Sequence, residues 1–309
     1  MKVLVTPRSF GKNNPGLFDD LRRAGVEVIR NDTGGVLSKE RMMALLADCH
    51  GVIVGIDPLD AEVLAAAPRL RAVAKYGVGL DNIDVDYCIH HDITVSRTVG
   101  ANSEAVADYA FALMLAVARK VVTIDAKCRR RDWSKLTGLD IGGATLGIIG
   151  LGAVGRCVAA RGKGFGMRIL GNDVAWDHVW ALREGIERED VDTICREADV
   201  ITLHTALTPE TQGMLDARRI GLMKPTAILI NTARGELVDE AALLAALKEK
   251  RIHGAGLDVF VEEPPKDDAW YELENVVLGS HTSSSTRGAT ETMGRMAVNN
   301  LLRDMSASR

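Results

Sequence analysis

The chain has 309 residues, 47% of them apolar and 26% charged, the balance of a globular protein with one large or two ordinary domains. Thirty-eight Lys and Arg against 42 Asp and Glu leave a net charge of −4, which excludes a bulk positive field that would draw nucleic acid or anionic lipid. Five cysteines without a close pair argue against a disulfide framework or a zinc knuckle and fit a reducing compartment, with no metal site expected.

The first residues already read as a strand, so no signal peptide is expected and the location implied is cytoplasmic. Short β-branched runs at 2–6, 27–30, 51–55, 72–76 and 94–98 alternate with amphipathic stretches such as 17–24 and 39–48. Apolar runs of this length, separated by helices, predict parallel strands buried on both faces in an open, doubly wound sheet of five strands. A long helix follows, capped by Asn102 or Ser103, with Ala105, Tyr109, Leu113 and Ala116 at helical spacing. The apolar stretch it contains, 105–118, carries Asp108 and is too short to span a bilayer. Residues 127–138 are polar and charged around a single Trp133 and read as a loop or arm. The triplet Arg129-Arg130-Arg131 within them reads as a solvated helix end.

A second βα series occupies 145–150, 168–173, 200–204, 227–232, 253–259 and 276–281. Six strands with crossover helices match two mononucleotide-binding halves. The last helix, 289–302, has no partner left in that series and must pack on the first domain. The predicted architecture is α/β: a Rossmann dinucleotide-binding domain, residues 100–284, inserted into a smaller flavodoxin-like, doubly wound substrate domain of residues 1–99 plus 285–309.

Gly150-Leu151-Gly152-Ala153-Val154-Gly155 follows a strand and opens an amphipathic helix. In that context Gly150 permits the turn, Gly152 lets the backbone approach a pyrophosphate, and Gly155 allows close helix–strand packing. The phosphates would rest on amides at a helix N-terminus. Asp173 closes the next strand, where a carboxylate accepts hydrogen bonds from ribose hydroxyls and repels a 2′-phosphate. Val174, Ala175 and Trp176 beside it offer no arginine for that phosphate. NAD, not NADP, is the cofactor predicted.

Ligands of open α/β sheets bind beyond the carboxyl ends of strands. Those ends carry Thr205, then Thr232-Ala233-Arg234-Gly235, then Asp258 with Glu262 and Glu263, then His281. A guanidinium can grip a substrate carboxylate bidentately. An imidazolium can donate a proton to a carbonyl oxygen as hydride reaches the carbon. A carboxylate beside the imidazole favours its charged form. Each residue alone has a plain structural explanation; their joint position on the cofactor rim predicts hydride transfer to a 2-oxo acid.

Five stretches carry a resemblance: Lys75-Tyr76-Gly77-Val78-Gly79-Leu80-Asp81-Asn82-Ile83-Asp84, the glycine turn at 150–155, Asn231 to Asp239, Gly256 to Pro264, and Ser280-His281. In register over nearly the whole chain, they resemble the D-2-hydroxyacid dehydrogenase family, the D-isomer-specific group that includes phosphoglycerate, glyoxylate/hydroxypyruvate and D-lactate dehydrogenases. The resemblance stops after the last helix, without the regulatory C-terminal domain of some phosphoglycerate dehydrogenases. It implies an NAD-dependent oxidoreductase of small (R)-2-hydroxy acids, with its active site in a cleft between the domains and a homodimeric state. It assigns Arg234 to the substrate carboxylate, His281 to acid/base work, and Glu263, the glutamate before proline, to the histidine. The backbone of Val78 and Gly79 would hold the substrate carboxylate. Lys75, where phosphoglycerate enzymes often have arginine, would meet a distal acidic group. Cofactor contacts would fall on Ala153, Val154, Asp173, Thr205, Thr232, Ala233, Asp258, Ser283 and Ser284.

Several positions depart from the family pattern. No cation stands on the Gly55-Ile56-Asp57 loop, Lys135 replaces an arginine, and Asp108 replaces the usual glutamate of the long helix. Thr282-Ser283-Ser284 follows His281 in place of an apolar-Gly pattern. Arg8 is a further candidate for the substrate pocket. Formate dehydrogenase pairs its histidine with glutamine, which Glu263 disfavours. An NAD-sensing, corepressor-like binding protein with little turnover is the alternative, and the arm around Trp133 is the expected part of a dimer interface.

Overall fold

A computed structural model describes residues 1–307, which divide into two compact units: 1–102 with 285–307, and Ser103–Ser284. In the first unit, strands β1 (Lys2–Val5), β2 (Glu27–Arg30), β3 (Gly51–Val54), β4 (Ala72–Lys75) and β5 (Thr94–Arg97) alternate with helices α1 (Gly16–Arg23), α2 (Lys39–Leu46), α3 (Ala61–Ala65) and α4 (Val85–His90). All pairings are parallel, in the order β2-β1-β3-β4-β5. The central strands β3 and β4 are buried at every position, whereas the edge strands β2 and β5 are not. Uninterrupted apolar runs are what a strand covered on both faces requires. The order reverses between β1 and β3, so the loops after these strands open at the sheet's switch point.

The second unit begins with the long helix α5 (Ser103–Ala118) and a separate helix α6 (Val121–Arg129). Lys120, at φ +54°, divides the two. Strands β6 (Thr145–Ile149), β7 (Arg168–Asn172), β8 (Glu187–Arg188), β9 (Val200–Leu203), β10 (Ile228–Asn231), β11 (Gly254–Leu257) and β12 (Val276–Leu278) follow, with helices α7 (Ala153–Gly164), α8 (His178–Glu184), α9 (Val191–Glu197), α10 (Ala217–Ile220), α11 (Glu240–Lys248) and α12 (Ala269–Glu272) between them. The sheet order is β12-β11-β10-β9-β6-β7-β8, parallel throughout. Its apolar interior lies in two clusters, one around Ile201, Leu229 and Leu243, the other around Met114, Ile148 and Val158.

Two expectations need correction. The sheet has seven strands, not six: β8 is only Glu187 and Arg188, both exposed on the edge beside β7. Two charged residues give no β-branched run to read. The stretch 127–138 is not wholly a loop, because α6 carries helix through Arg129. That helix buries none of its residues, so it has no apolar periodicity to betray it. α5 is tied to α7 by Arg161, whose guanidinium reaches Glu104 Oε2 at 2.8 Å and bonds Asp108 through Nε at 2.8 Å. Asp108 therefore keeps an anionic role on this helix.

The C-terminal helix α13 (Arg287–Ala307) belongs to the first unit, where it packs on β3, β4, β5 and α1. Leu301 and Met305 are buried there and lie directly over Gly51. Among the described residues no helix is long and apolar enough to cross a membrane.

Candidate active site

β6 delivers the chain into the glycine turn. Gly150 adopts φ +98°, and a Cβ on it would fall 2.5 Å from the His204 carbonyl carbon and 2.6 Å from the Thr205 nitrogen. Only glycine fits a left-handed turn lying flush against the end of β9. A Cβ on Gly155 would stand 1.9 Å from the Gly150 oxygen, so α7 begins immediately under the turn. Gly152 caps α7 with nothing within 4 Å of its own missing Cβ. The first amides of a twelve-residue helix are thus left open beside exposed Ala153 and half-buried Val154, the arrangement that binds a phosphate.

Asp173 comes one residue after β7. Its Oδ2 accepts the Leu151 amide at 2.6 Å and its Oδ1 accepts the Ala175 amide at 2.7 Å. One carboxylate therefore braces the glycine turn while staying half-exposed. Thr205 is half-buried after β9, and Thr232 is buried after β10 with its Oγ1 lacking any partner. Ala233 lies next to it, its amide bonded to Asn231 Oδ1 at 3.0 Å. An orphaned hydroxyl is costly unless a ligand completes it. Together with the open helix end, it fits a dinucleotide.

At the far strands, His281 and Glu263 meet. His281 Nδ1 lies 2.9 Å from Glu263 Oε2 and 3.2 Å from Oε1, and Oε1 also accepts the Phe260 amide at 3.2 Å. Burial pushes the Glu263 carboxyl up, but the His281 contact, the Phe260 amide and the Arg234 charge outweigh it, and the net shift is downward. Glu263 is an anion at neutral pH. Arg234, at the end of the β10 loop, donates from Nη1 to the Ala233 carbonyl at 2.6 Å, and its charge acts on Glu263. The three residues expected to act together lie together.

The loop that carries His281 is unusual. His281 has φ +53°, a left-handed conformation that costs a residue with a Cβ roughly 1–2 kcal/mol. Its amide donates to the Asp258 carbonyl at 2.8 Å. The next two amides, Thr282 and Ser283, donate to Asp258 Oδ1 at 2.9 Å and Oδ2 at 2.8 Å. Asp258 is 0% exposed. Its carboxylate has no accessible surface and accepts one amide on each oxygen from its own chain, so it braces this loop. Ser283 is buried and Ser284 half-buried beyond it.

The other histidine on this rim does not compete. Burial pushes His204 down to about 3, so it is neutral at physiological pH, with Nε2 2.8 Å from Thr202 Oγ1.

In the first unit, the 77–80 loop presents Val78, 37% exposed, and half-buried Gly79. Lys75 beneath it is 6% exposed and turned inward, contrary to the expected contact with a distal acidic group. Its Nζ donates to the Gly55 carbonyl at 2.6 Å and to Asn82 Oδ1, while Asn82 Nδ2 donates to the Gly55 carbonyl at 3.1 Å. Asp57, also buried, accepts the Leu37 amide at 2.9 Å and the Thr6 hydroxyl. Sequence reading missed this polar lattice of Thr6, Asp57 and Asn82; Thr6 straight after β1 and Asp57 three positions after β3 were the available signal. Arg8 and Lys135 are exposed. No group of metal-ligating side chains occurs among the described residues.

Residues 111–283 match the family model of the D-isomer specific 2-hydroxyacid dehydrogenase, NAD binding domain. A glyoxylate reductase of Korarchaeum cryptofilum is 44% identical over 273 residues, 86% of this chain and 82% of that protein. Among solved structures, the TT0316 protein of Thermus thermophilus superposes with a TM-score of 0.90 at 39% identity, over 99% of this chain and 97% of that one. D-lactate dehydrogenase of Aquifex aeolicus, solved with NAD and lactic acid, gives a TM-score of 0.84 at 30% identity, over 96% and 93%. The fold and the glycine turn define an NAD-binding oxidoreductase of 2-hydroxy acids and 2-oxo acids. The chain belongs to the D-isomer specific 2-hydroxyacid dehydrogenase family. Nothing in these comparisons supports the corepressor-like alternative.

Proposed function

We propose that this enzyme reduces a short 2-oxo acid to the (R)-2-hydroxy acid with His281 as proton donor, Glu263 as its partner and Arg234 as the carboxylate clamp. The observation that carries the reading is the His281–Glu263 contact of 2.9 Å with the Arg234 charge acting on the same carboxylate. Glu263 engages Nδ1, which leaves Nε2 to face the substrate. When bound, NADH supplies the hydride to the carbonyl carbon. His281 gives its proton to the carbonyl oxygen, and Arg234 holds the neighbouring carboxylate through a bidentate fork. In the oxidative direction the neutral imidazole takes the hydroxyl proton back.

The cofactor is assigned to the amides of Gly152, Ala153 and Val154, the hydroxyl of Thr232, and the carboxylate of Asp173 for the ribose. Gly150 and Gly155 shape the turn, and Thr205, Ala233, Ser283 and Ser284 complete the lining. The amides of Val78 and Gly79 are assigned to the substrate carboxylate, with Lys75 as a positioning residue beneath their loop. Relatives named glyoxylate reductase, and a solved glyoxylate/hydroxypyruvate reductase of Sinorhizobium meliloti, support a substrate as small as glyoxylate or hydroxypyruvate. A homodimer is supported by α6, which buries no residue and leaves Val121 53% and Val122 54% exposed, and by Trp133, 81% exposed beyond it. An apolar surface of this kind is covered in an interface more often than left wet. A cytoplasmic location suits the unpaired cysteines, three of them buried as thiols.

Replacing His281 by Ala lowers kcat for 2-oxo acid reduction by about 10²- to 10⁴-fold with NADH affinity retained, since it removes the proton donor; near-native turnover would overturn the assignment. Glu263→Gln keeps the shape and removes the anion, so the charge-assisted contact with Nδ1 is lost and kcat falls about tenfold or more with NADH affinity retained; an unchanged kcat would detach Glu263 from His281. Asp173→Ala reduces the preference for NADH over NADPH in kcat/KM, and an unchanged ratio would count against its ribose role. Sedimentation equilibrium checks the assembly: two chains are expected, and a single chain at micromolar concentration would contradict the α6 and Trp133 interface.

A further inference from the structure

The loop that carries Glu263 leaves the core at Phe260 and runs over the surface. Phe260 is buried, its ring edge-on to buried Trp270 at 5.7 Å, whereas residues 261–264 are exposed. Apolar packing therefore ends just before the residues that place the carboxylate. Two consecutive amides continue the hold. Phe260 N donates forward to Glu263 Oε1 at 3.2 Å, and Val261 N donates to Glu240 Oε1 at 2.7 Å.

Glu240 is the first residue of α11, which Asp239 caps by accepting the Ala242 amide at 3.0 Å. Leu243, Leu244, Ala246 and Leu247 bury the inner face of that helix, so the carboxylate stands on a rigid element. The loop also has a floor. A Cβ on Gly235 would fall 2.1 Å from the Phe260 carbonyl carbon and 2.3 Å from the Val261 nitrogen. The Phe260–Val261 peptide thus lies flush on the residue that follows Arg234, with its N–H tied to α11. Burial and nearby Glu236 push the Glu240 carboxyl up against the pull of the Val261 amide. One amide needs one acceptor oxygen, which the carboxyl offers whether or not it is ionised.

We propose that Glu240 is a positioning residue for the acid/base pair: by accepting the Val261 amide it seats the 260–263 loop on Gly235 and so fixes Glu263 against His281. The inference rests on the roles given above to His281 and Glu263. Without that acceptor, Glu263 keeps its bond to the Phe260 amide, but the chain between the two loses its tie to α11. A misplacement of about 1 Å slows chemistry about a hundredfold. A loop still floored by Gly235 moves less, and a loss of about tenfold is expected.

The test compares Glu240→Ala, Glu240→Asp and Glu240→Gln with the native enzyme in its NADH complex, using hydroxypyruvate as the 2-oxo acid. The first removes the acceptor and the second withdraws it by a methylene, so both should lower kcat about tenfold. Glu240→Gln keeps one acceptor oxygen and should recover most of the rate. The fluorescence-titrated Kd for NADH should stay within about threefold, and the isotope effect with 4-deuterated NADH should rise as chemistry becomes limiting. A double-mutant cycle decides the route. If Glu240 acts through Glu263, Glu240→Ala costs less than about threefold in the Glu263→Gln background. The same loss in both backgrounds overturns the proposal, as does a lowered unfolding temperature with kcat unchanged, or a loss found wholly in NADH affinity. Equal losses in Glu240→Gln and Glu240→Ala overturn it too, because the acceptor would then be irrelevant. Failure of both Glu240→Ala and Glu240→Asp to fold would likewise overturn it, by making Glu240 a requirement of folding. Glu263→Gln alone separates the two claims. If it turns over normally, the functional reading itself fails; if it is impaired while Glu240→Ala is normal, only the seating by Glu240 fails.

Discussion

The proposed chemistry of this enzyme depends on one contact between an imidazole and a carboxylate, His281 on Glu263. Side-chain exposures of 39% and 36% place the pair at the surface, where such contacts add about 0–1 kcal/mol to stability. It therefore matters little for folding and much for orientation. With Nδ1 committed to Glu263, the opposite nitrogen has a fixed direction. Arg234 adds its charge to the same neighbourhood, so the carboxylate stays ionised despite its partial burial.

The fold delivers these groups by a simple rule. Every strand of the second unit runs parallel, so every carboxyl end opens on one rim, and the glycine turn lies on that rim with Arg234, Glu263 and His281. Side chains in the strands are mostly buried and apolar; polar groups gather just past the strand ends. Backbone proximity makes the rim rigid. Gly150 lies against the end of β9, and Gly155 lies against Gly150. A site placed on such loops acquires the precision of the sheet beneath them.

Much of this was legible from residue order. Uninterrupted apolar runs revealed the buried parallel strands, because covering both faces leaves no room for alternation. The glycine spacing and Asp173 marked the turn before α7, and the cation, anion and imidazole at strand ends marked the set proposed as reactive. What escaped has physical reasons. β8 is two charged residues whose pairing comes from β7 alone. α6 is a helix without a buried face. Lys75 was read as facing a ligand, yet it is turned into the protein. A charged residue after a strand looks the same in sequence whichever way it points, and only the acceptors and donors around it decide. The left-handed turn at His281 was equally hidden, since the amides after it meet a carboxylate more than twenty positions earlier.

The central claim concerns a proton that travels with the hydride. The most direct measurement is the pH dependence of kcat/KM in both directions, with the NADH complex reducing hydroxypyruvate and the NAD complex oxidising D-glycerate. If the His281–Glu263 pair supplies and recovers the proton, reduction fades at alkaline pH and oxidation fades at acid pH. Profiles that fall on the same side in both directions, or that are flat through the neutral range, would contradict it.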